Sequence, residues 1–463
     1  MKYIQRYYQK FGHTLDKLAF GLLLATLIAV PTFPKFPLID LPQTSVSIRL
    51  EDFLLALLVL IWGISSLSKI PSIIKNKQNI LIAVFLFVGL VSLLSAVLIT
   101  NTVSAPVGFL HWARRLQYLI LLPIAYNLVS SKQRLRLIIK SLAVVTIYVF
   151  IVGLGQKFLN WPIITTQNAE YSQGLALSYM PGGHMISTFA GHYDLATFLI
   201  VTIPLWWLLV LGSARSLKGL EIFTKFVVIE KVIYLGLALC GIWLLTHAAS
   251  RISIVSYLGA VTISLFFAKR KIFIPIIVAF SLLATGLTSN LVSRYQGLIE
   301  VVVDRISVIS VVPQAFAQVD SVSTPAPSPI IEDRSFAIRQ NVSWPRAINA
   351  FLKNPVLGTG YSSLTLATDN GYLRMLGEVG ALGTIAFMLL ILNIALTLFK
   401  NVMRFPTDSF EGLFVIAIFS SLSGVLLNNV FIDIFEASKF AIIYWILIGC
   451  LLYTSPSPRD RQK

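Results

Sequence analysis

"TDNGYLRMLGEVGALG", Thr368 to Gly383, joins a long polar stretch to an apolar run that continues to about residue 399. A bilayer core of about 30 Å needs about 20 mostly apolar helical residues, so this run is long enough to cross one. Asp369 and Asn370 stand at the junction. They read either as caps of the helix that starts there or as groups doing chemistry at a membrane surface.

The same reading extends along the whole chain. Its 463 residues are 56% hydrophobic and only 12% charged, with a mean hydropathy of +0.80, more apolar than the core of a soluble domain requires. The expected fold class is all-α and polytopic, with twelve apolar stretches: roughly 15 to 33, 50 to 68, 79 to 99, 111 to 129, 136 to 157, 192 to 212, 231 to 249, 252 to 268, 272 to 289, 372 to 399, 411 to 429 and 439 to 453. The expected organisation is helices one to nine over 1–289, with an outer loop at 158–191. A long outer loop follows over 290–370, then helices ten to twelve over 371–453 and a polar tail at 454–463. That tail, "TSPSPRDRQK", reads as a read-through and carries no functional weight.

Lys and Arg are retained on the cytoplasmic side of short loops. Groups such as Lys69, Lys75 and Lys77, then Lys132, Arg134, Arg136 and Lys140, then Lys269, Arg270 and Lys271 recur at alternate ends of the stretches. The short segments at the other ends carry only Lys35, Arg49, Arg114, Arg115, Lys157, Arg251 and Lys439. Both termini are therefore expected in the cytoplasm. The net charge of +17 is mostly topology, and no nucleic-acid partner is expected. Cys240 and Cys450 both lie in apolar segments, which leaves neither a disulfide framework nor a metal cluster. The first apolar run lacks a small-residue cleavage site and is expected to stay as an anchor.

Long loops in an otherwise economical bundle carry function. The longer one opens with an amphipathic stretch, "RYQGLIEVVVDRISVISVV" (Arg294 to Val312), followed by the Pro-rich "STPAPSPIIEDRS". "WPRAINAFLKNP" then predicts a helix with Pro345 in its first turn and a stop before Pro355, and "LGTGYSS" breaks it. No internal repeat relates the halves, which weighs against a transporter.

Ionisable groups at the outer ends of the helices are costly unless they have a partner or face a cavity. Arg114 and Arg115 open the fourth helix, and His192 and Asp194 the sixth. Arg251 lies between the seventh and eighth, and Arg339, Arg346 and Asp369 belong to the long loop. Several guanidiniums with one or two carboxylates suit a phosphate or pyrophosphate held by forked hydrogen bonds. Each residue also has a structural reading. Arg114 and Arg115 can snorkel to lipid headgroups, Asp194 can be a first-turn carboxylate favoured by the helix dipole, and His184 can be an ordinary loop histidine. Arg251 runs against the charge rule, which favours function. Arg339 and Arg346, seven residues apart, share a side only if the segment is helical throughout. No His-x-x-x-His or Asp-x-Asp pair lies on this face, so neither a metal nor another cofactor is indicated.

"RQNVSWPRAINAFLKNPVLGTGYSSL" followed by "DNGYLRMLGEVGALG" resembles the signature region of the O-antigen ligase and O-antigen polymerase superfamily: Arg, Trp, a small helix, Asn/Asp-Pro, Gly-x-Gly, then His/Asp-Asn-x-Tyr-Leu and Glu-x-Gly-x-x-Gly. "ASRISIV" resembles its Ser-Arg segment and "ISTFAGHYDLATFLIVTIPL" the start of its sixth helix. The layout of helices and outer loop matches too, so the resemblance covers nearly the whole chain.

The resemblance implies a multi-pass protein of the bacterial cytoplasmic (inner) membrane, in contact with membrane lipids. It further implies a metal-independent inverting glycosyltransferase of polysaccharide biosynthesis, with a polyprenyl-pyrophosphate-linked glycan as donor and a hydroxyl of a glycan or lipid-linked acceptor as recipient. Arg251 and then Arg339 would stabilise the leaving pyrophosphate, with Arg346, Arg114 and Arg115 as lesser choices. His184, His192, Asp194 and Asn370 would line the substrate site. Many ligases of the family carry a histidine, cast as the base, where this chain has Asp369. An ordinary aspartate pKa of about 3.9 makes a weaker base unless desolvation raises it. His184 likewise stands where an arginine is expected. The departure at Asp369 moves the reading from lipopolysaccharide ligase toward a polymerase or another polysaccharide-processing relative, and that at His184 implies a different donor site. The competing class is an exporter or flippase of lipid-linked saccharides. Against it, the loop "SKIPSIIKNKQN" lacks the Gly-x-x-x-Asp-Arg motif of major-facilitator exporters, and the longest loop falls late in the chain.

Overall fold

The computed structural model describes residues 2–34, 37–40, 47–164, 176–177, 179, 183–212, 221–288, 339–365 and 367–453. The amphipathic and Pro-rich stretches expected between residues 294 and 335, and the polar tail, lie outside the described residues.

Each expected apolar stretch falls on helix. In chain order the helices are α1 (Lys2–Thr32), α2 (Leu50–Ser66), α3 (Ile70–Ile74), α4 (Lys77–Leu98), α5 (Ala105–Leu119), α6 (Leu121–Leu128), α7 (Lys132–Phe158) and α8 (His192–Leu211). They continue with α9 (Glu221–Ala248), α10 (Arg251–Phe267), α11 (Phe273–Thr288), α12 (Trp344–Lys353), α13 (Gly371–Arg404), α14 (Phe410–Asn428) and α15 (Ser438–Tyr453). Among the described residues seven helices are long and apolar enough to cross a membrane, and three shorter apolar ones accompany them. This is an all-α polytopic membrane protein. Two small antiparallel ribbons, Pro37–Asp40 with Ser47–Arg49 and Ile163–Ile164 with Ala176–Leu177, were not foreseen. They tie off loops and do not alter the class.

Local chemistry explains where helices begin. Asn76, Ser131 and Ser409 accept hydrogen bonds from the amides of Gln78, Arg134 and Gly412, filling positions that a helix start leaves unpaired. Pro345 occupies the first turn of α12, where its missing N–H costs nothing. Helix α8 is apolar all round after Asp194 and is buried along nearly its whole length, against α9, α10 and α14. Helices at the periphery expose Leu60, Phe87, Leu98, Leu283 and Leu287, the surface that acyl chains would cover.

Helix α13 is broken at Gly380 (φ 67, ψ −170). The break frees backbone groups, and the loop after α12 satisfies them. Thr359 N donates to Gly377 O (2.9 Å) and Gly360 N to Glu378 O (2.8 Å), while Ala381 N donates to Pro355 O (2.8 Å). A broken helix at membrane depth persists only where its freed groups are repaired in this way. Gly358 (φ +71) and Gly380 are required where the two segments cross. A Cβ on Gly380 would sit 2.4 Å from Val356 O, and one on Gly358 2.5 Å from Glu378 O. The Gly-x-Gly and Glu-x-Gly-x-x-Gly motifs therefore form one backbone lock.

Candidate functional site

The ends of many helices meet at one end of the bundle. Lys439 at the start of α15 donates to Phe33 O beyond α1 (2.8 Å) and to Thr188 O before α8. Lys157 near the end of α7 contacts His247 near the end of α9. Asn428 at the end of α14 accepts from Ser253 (3.1 Å) and donates to Thr197 (2.7 Å), joining α10 and α8.

Asp369 lies at this end, immediately before α13. Its Oδ2 is 3.3 Å from Arg339 Nε, with side chains 32% and 11% exposed, so the pair is neither free in solvent nor sealed in the core. Arg339 Nη2 also donates to Tyr193 Oη (3.2 Å). The Tyr193 ring lies 3.9 Å from that of His192, centroid to centroid, and His192 stacks on His184 at 4.1 Å and 13°. His184 Nδ1 is 3.0 Å from Ala248 O, and Met185 N donates to His247 O (3.0 Å). Arg251 follows three residues after Ala248, as the first residue of α10. Asp369, Arg339, Tyr193, His192 and His184 therefore form one continuous line that reaches the turn between α9 and α10, three residues before Arg251 in the chain.

Asp369 holds a left-handed conformation, φ 52, uncommon for a residue with a side chain and tolerated best by Asn and Asp. The cause is Asp433. One of its oxygens accepts from Thr368 N (2.8 Å) and the other from Asn370 N (3.0 Å), so the amides on either side of Asp369 are both pinned. The cap of α13 is Asn370, whose Oδ1 accepts from Tyr372 N (3.1 Å) and Leu373 N (3.0 Å). Of the two junction residues that read as caps, Asn370 is the cap and Asp369 is not. Asp369 does not serve the helix start. Burial pushes the carboxyl above the ordinary aspartate range, Arg339 opposes that, and the charge of Asp433 adds to it.

A second charged cluster lies beneath. Arg374 binds Glu378 (3.2 Å), four residues on, and Asp433 (3.1 Å), and is 3.7 Å from Glu436. Arg115 pairs with Glu436, donates to Phe435 O (2.9 Å) and stands over the Tyr361 ring at 5.7 Å. Arg115 is thus built into the protein and does not snorkel to lipid. With Phe85, Phe387 and Trp445 these groups line a pocket whose polar wall is the ionic cluster. Two guanidiniums share three carboxylates here, which accounts for their burial.

Arg346 diverges from Arg339. The turn Arg339–Ser343 is a π-turn and Trp344–Lys353 is α, so the seven-residue spacing does not keep the two on one side. Arg346 lines a separate groove with Asn341 and Lys353. Asp194 is buried in the first turn of α8. Arg114 is the neighbour of Arg115 on α5.

Tyr193, Tyr361, Asp433 and Glu436 escaped the reading of the sequence. The signal present was "FIDIFEASK", two acids in the short connection before the last helix, where an acidic pair at membrane depth needs cationic partners.

Residues 236–388 match the family model described as O-Antigen ligase. The matched span runs from α9 past the Gly380 break and includes Arg251, Arg339, Arg346, Asp369 and Asn370. The match bears out the resemblance to the O-antigen ligase superfamily and supports a glycosyltransferase-like role in polysaccharide biosynthesis. No curated protein matches the chain.

Proposed function

We propose that this protein transfers a glycan from a polyprenyl-pyrophosphate-linked donor to a hydroxyl of a sugar or lipid-linked acceptor, at the outer face of a bacterial inner membrane. The observation that carries this reading is the half-buried Arg339–Asp369 pair, held in a left-handed turn beside a row of polar groups. Asp369 accepts the proton of the acceptor hydroxyl as its oxygen bonds to the anomeric carbon. The bond from that carbon to the pyrophosphate oxygen breaks, and the electron pair leaves with the pyrophosphate. Attack opposite the leaving group inverts the anomeric centre.

Two features support these roles. Desolvation raises the basicity of Asp369, answering the weakness of an ordinary aspartate as a base. Arg339 Nε faces Asp369 at 3.3 Å and one Nη donates to Tyr193, so that among the described residues the guanidinium keeps N–H donors for an anion. A cation about 4 Å from the leaving charge contributes on the order of 4 kcal/mol at an intermediate dielectric. Arg251 is assigned the pyrophosphate, with His184 and His192 between the two arginines. The mechanism needs no metal, and transfer is expected to survive excess chelator.

The deciding experiment is transfer from a radiolabelled lipid-pyrophosphate glycan in proteoliposomes. Asp369→Asn is expected to bind donor and transfer none. Arg251→Ala is expected to lose transfer as well. Full activity in Asp369→Asn would remove the base assignment, and lipid-linked sugar crossing the bilayer without transfer would favour a flippase.

A further inference from the structure

An open groove runs along α12, on the side of the helix that carries Arg346, Asn349 and Lys353. The facing wall is the loop with Thr359 and Ser363, and Thr102 also lines it. The hydroxyls of Thr359 and Ser363 are 2.7 Å apart. Among the described residues no acidic side chain lines the groove, and neither Arg346 nor Lys353 forms an ion pair with another described residue. Seven residues of α-helix separate the cations by about 10 Å along the axis. Asn341, which also lines the groove, is two residues from Arg339 of the Arg339–Asp369 pair.

From this we infer that the groove is a subsite for an acidic oligosaccharide, the extended part of the glycan whose reacting end lies at Asp369. The inference rests on the glycan-transfer reading for its orientation. Two cations about 10 Å apart, with amides and hydroxyls beside them, match a chain bearing carboxylates or phosphates at intervals of about two sugar units. A lipid headgroup fits less well. The exposed apolar residues of α12, Ile348 and Leu352, lie on a different side of the helix from Arg346 and Lys353, and the groove's far wall is hydroxylic.

The test is calorimetric binding to the full chain in zwitterionic nanodiscs, with oligogalacturonate as probe and a maltooligosaccharide of equal length as neutral control. The acidic probe is expected to bind at least tenfold tighter, with an affinity that falls as salt rises. Arg346→Gln with Lys353→Gln should bring it down to the neutral control. Lys353 is exposed, so Lys353→Gln alone, which does not threaten folding, should cost at least threefold. Equal affinity for the two probes, or no loss in the double variant, overturns the inference. So does competition of the acidic probe by vesicles of anionic lipid. Asp369→Asn should leave this binding unchanged. Loss of the transfer reading with retained acidic-probe binding, and the reverse, are therefore separate results.

Discussion

The guanidinium of Arg374 lies 3.1 Å from the carboxylate of Asp433, and that carboxylate also receives the amides of Thr368 and Asn370, the residues on either side of Asp369. A buried ion pair and the turn that presents Asp369 are thus one unit. Asp433→Asn keeps one acceptor oxygen but removes the charge, and Asp433→Ala leaves Arg374 with Glu378, Glu436 and the Leu364 carbonyl. Breaking one partner of a buried pair costs about 3–5 kcal/mol. We expect Asp433→Ala to fall below the stability needed for purification. Asp433→Asn should fold but lose tenfold or more in kcat with little change in KM, because the turn loses its hold on Asp369. Unchanged kcat in Asp433→Asn would mean that the turn holds itself.

The pH dependence follows from the direction of the Asp369 shift. Burial favours the neutral carboxyl, so its pKa in the protein lies above the ordinary range. Since transfer needs the carboxylate, activity should be full above that raised pKa and fall as pH drops through it. The acid limb of kcat/KM is therefore expected above the pH of an exposed aspartate. Arg339 is the group that pulls the value down. Arg339→Gln should move the limb to higher pH as well as reduce the rate, a shift that a merely structural arginine would not give.

Asn370 is assigned to the helix start. Asn370→Ala removes a cap and should cost about 1 kcal/mol of stability. Asn370→Asp, which keeps the acceptor, should retain most of it. The pair is read by thermal unfolding in detergent, and equal loss in both variants would contradict the cap.

The lock between Gly358 and Gly380 makes a steric prediction. Gly380→Ala puts a methyl 2.4 Å from the Val356 carbonyl at a positive φ, where neither backbone can yield cheaply. Little folded protein is expected by fluorescence-detected gel filtration. Gly236→Ala, where a Cβ meets nothing within 4 Å, is the control that should fold normally.

Much of the architecture was legible in the sequence because apolar length and charge alternation report directly on a lipid environment. The twelve apolar stretches and the short helix starting beside Pro345 are local patterns. So is the departure at Asp369, visible on the chain as one residue in a motif. What α13 does at Gly380 was not legible, because a glycine that packs and a glycine that breaks a helix look the same until the segment crossing it is known.

The identity of the α13 cap and the conformation of Asp369 depended on Asp433, 64 positions away. The opposite pull of burial and Arg339 on its carboxyl likewise needed the surroundings. Sequence by itself determined the class of protein and the list of polar residues worth weighing, because those follow from composition and spacing. Tertiary structure decided which of them share a charge, which cap, and which line a groove, because pairing and desolvation depend on distances between segments that the chain order does not contain.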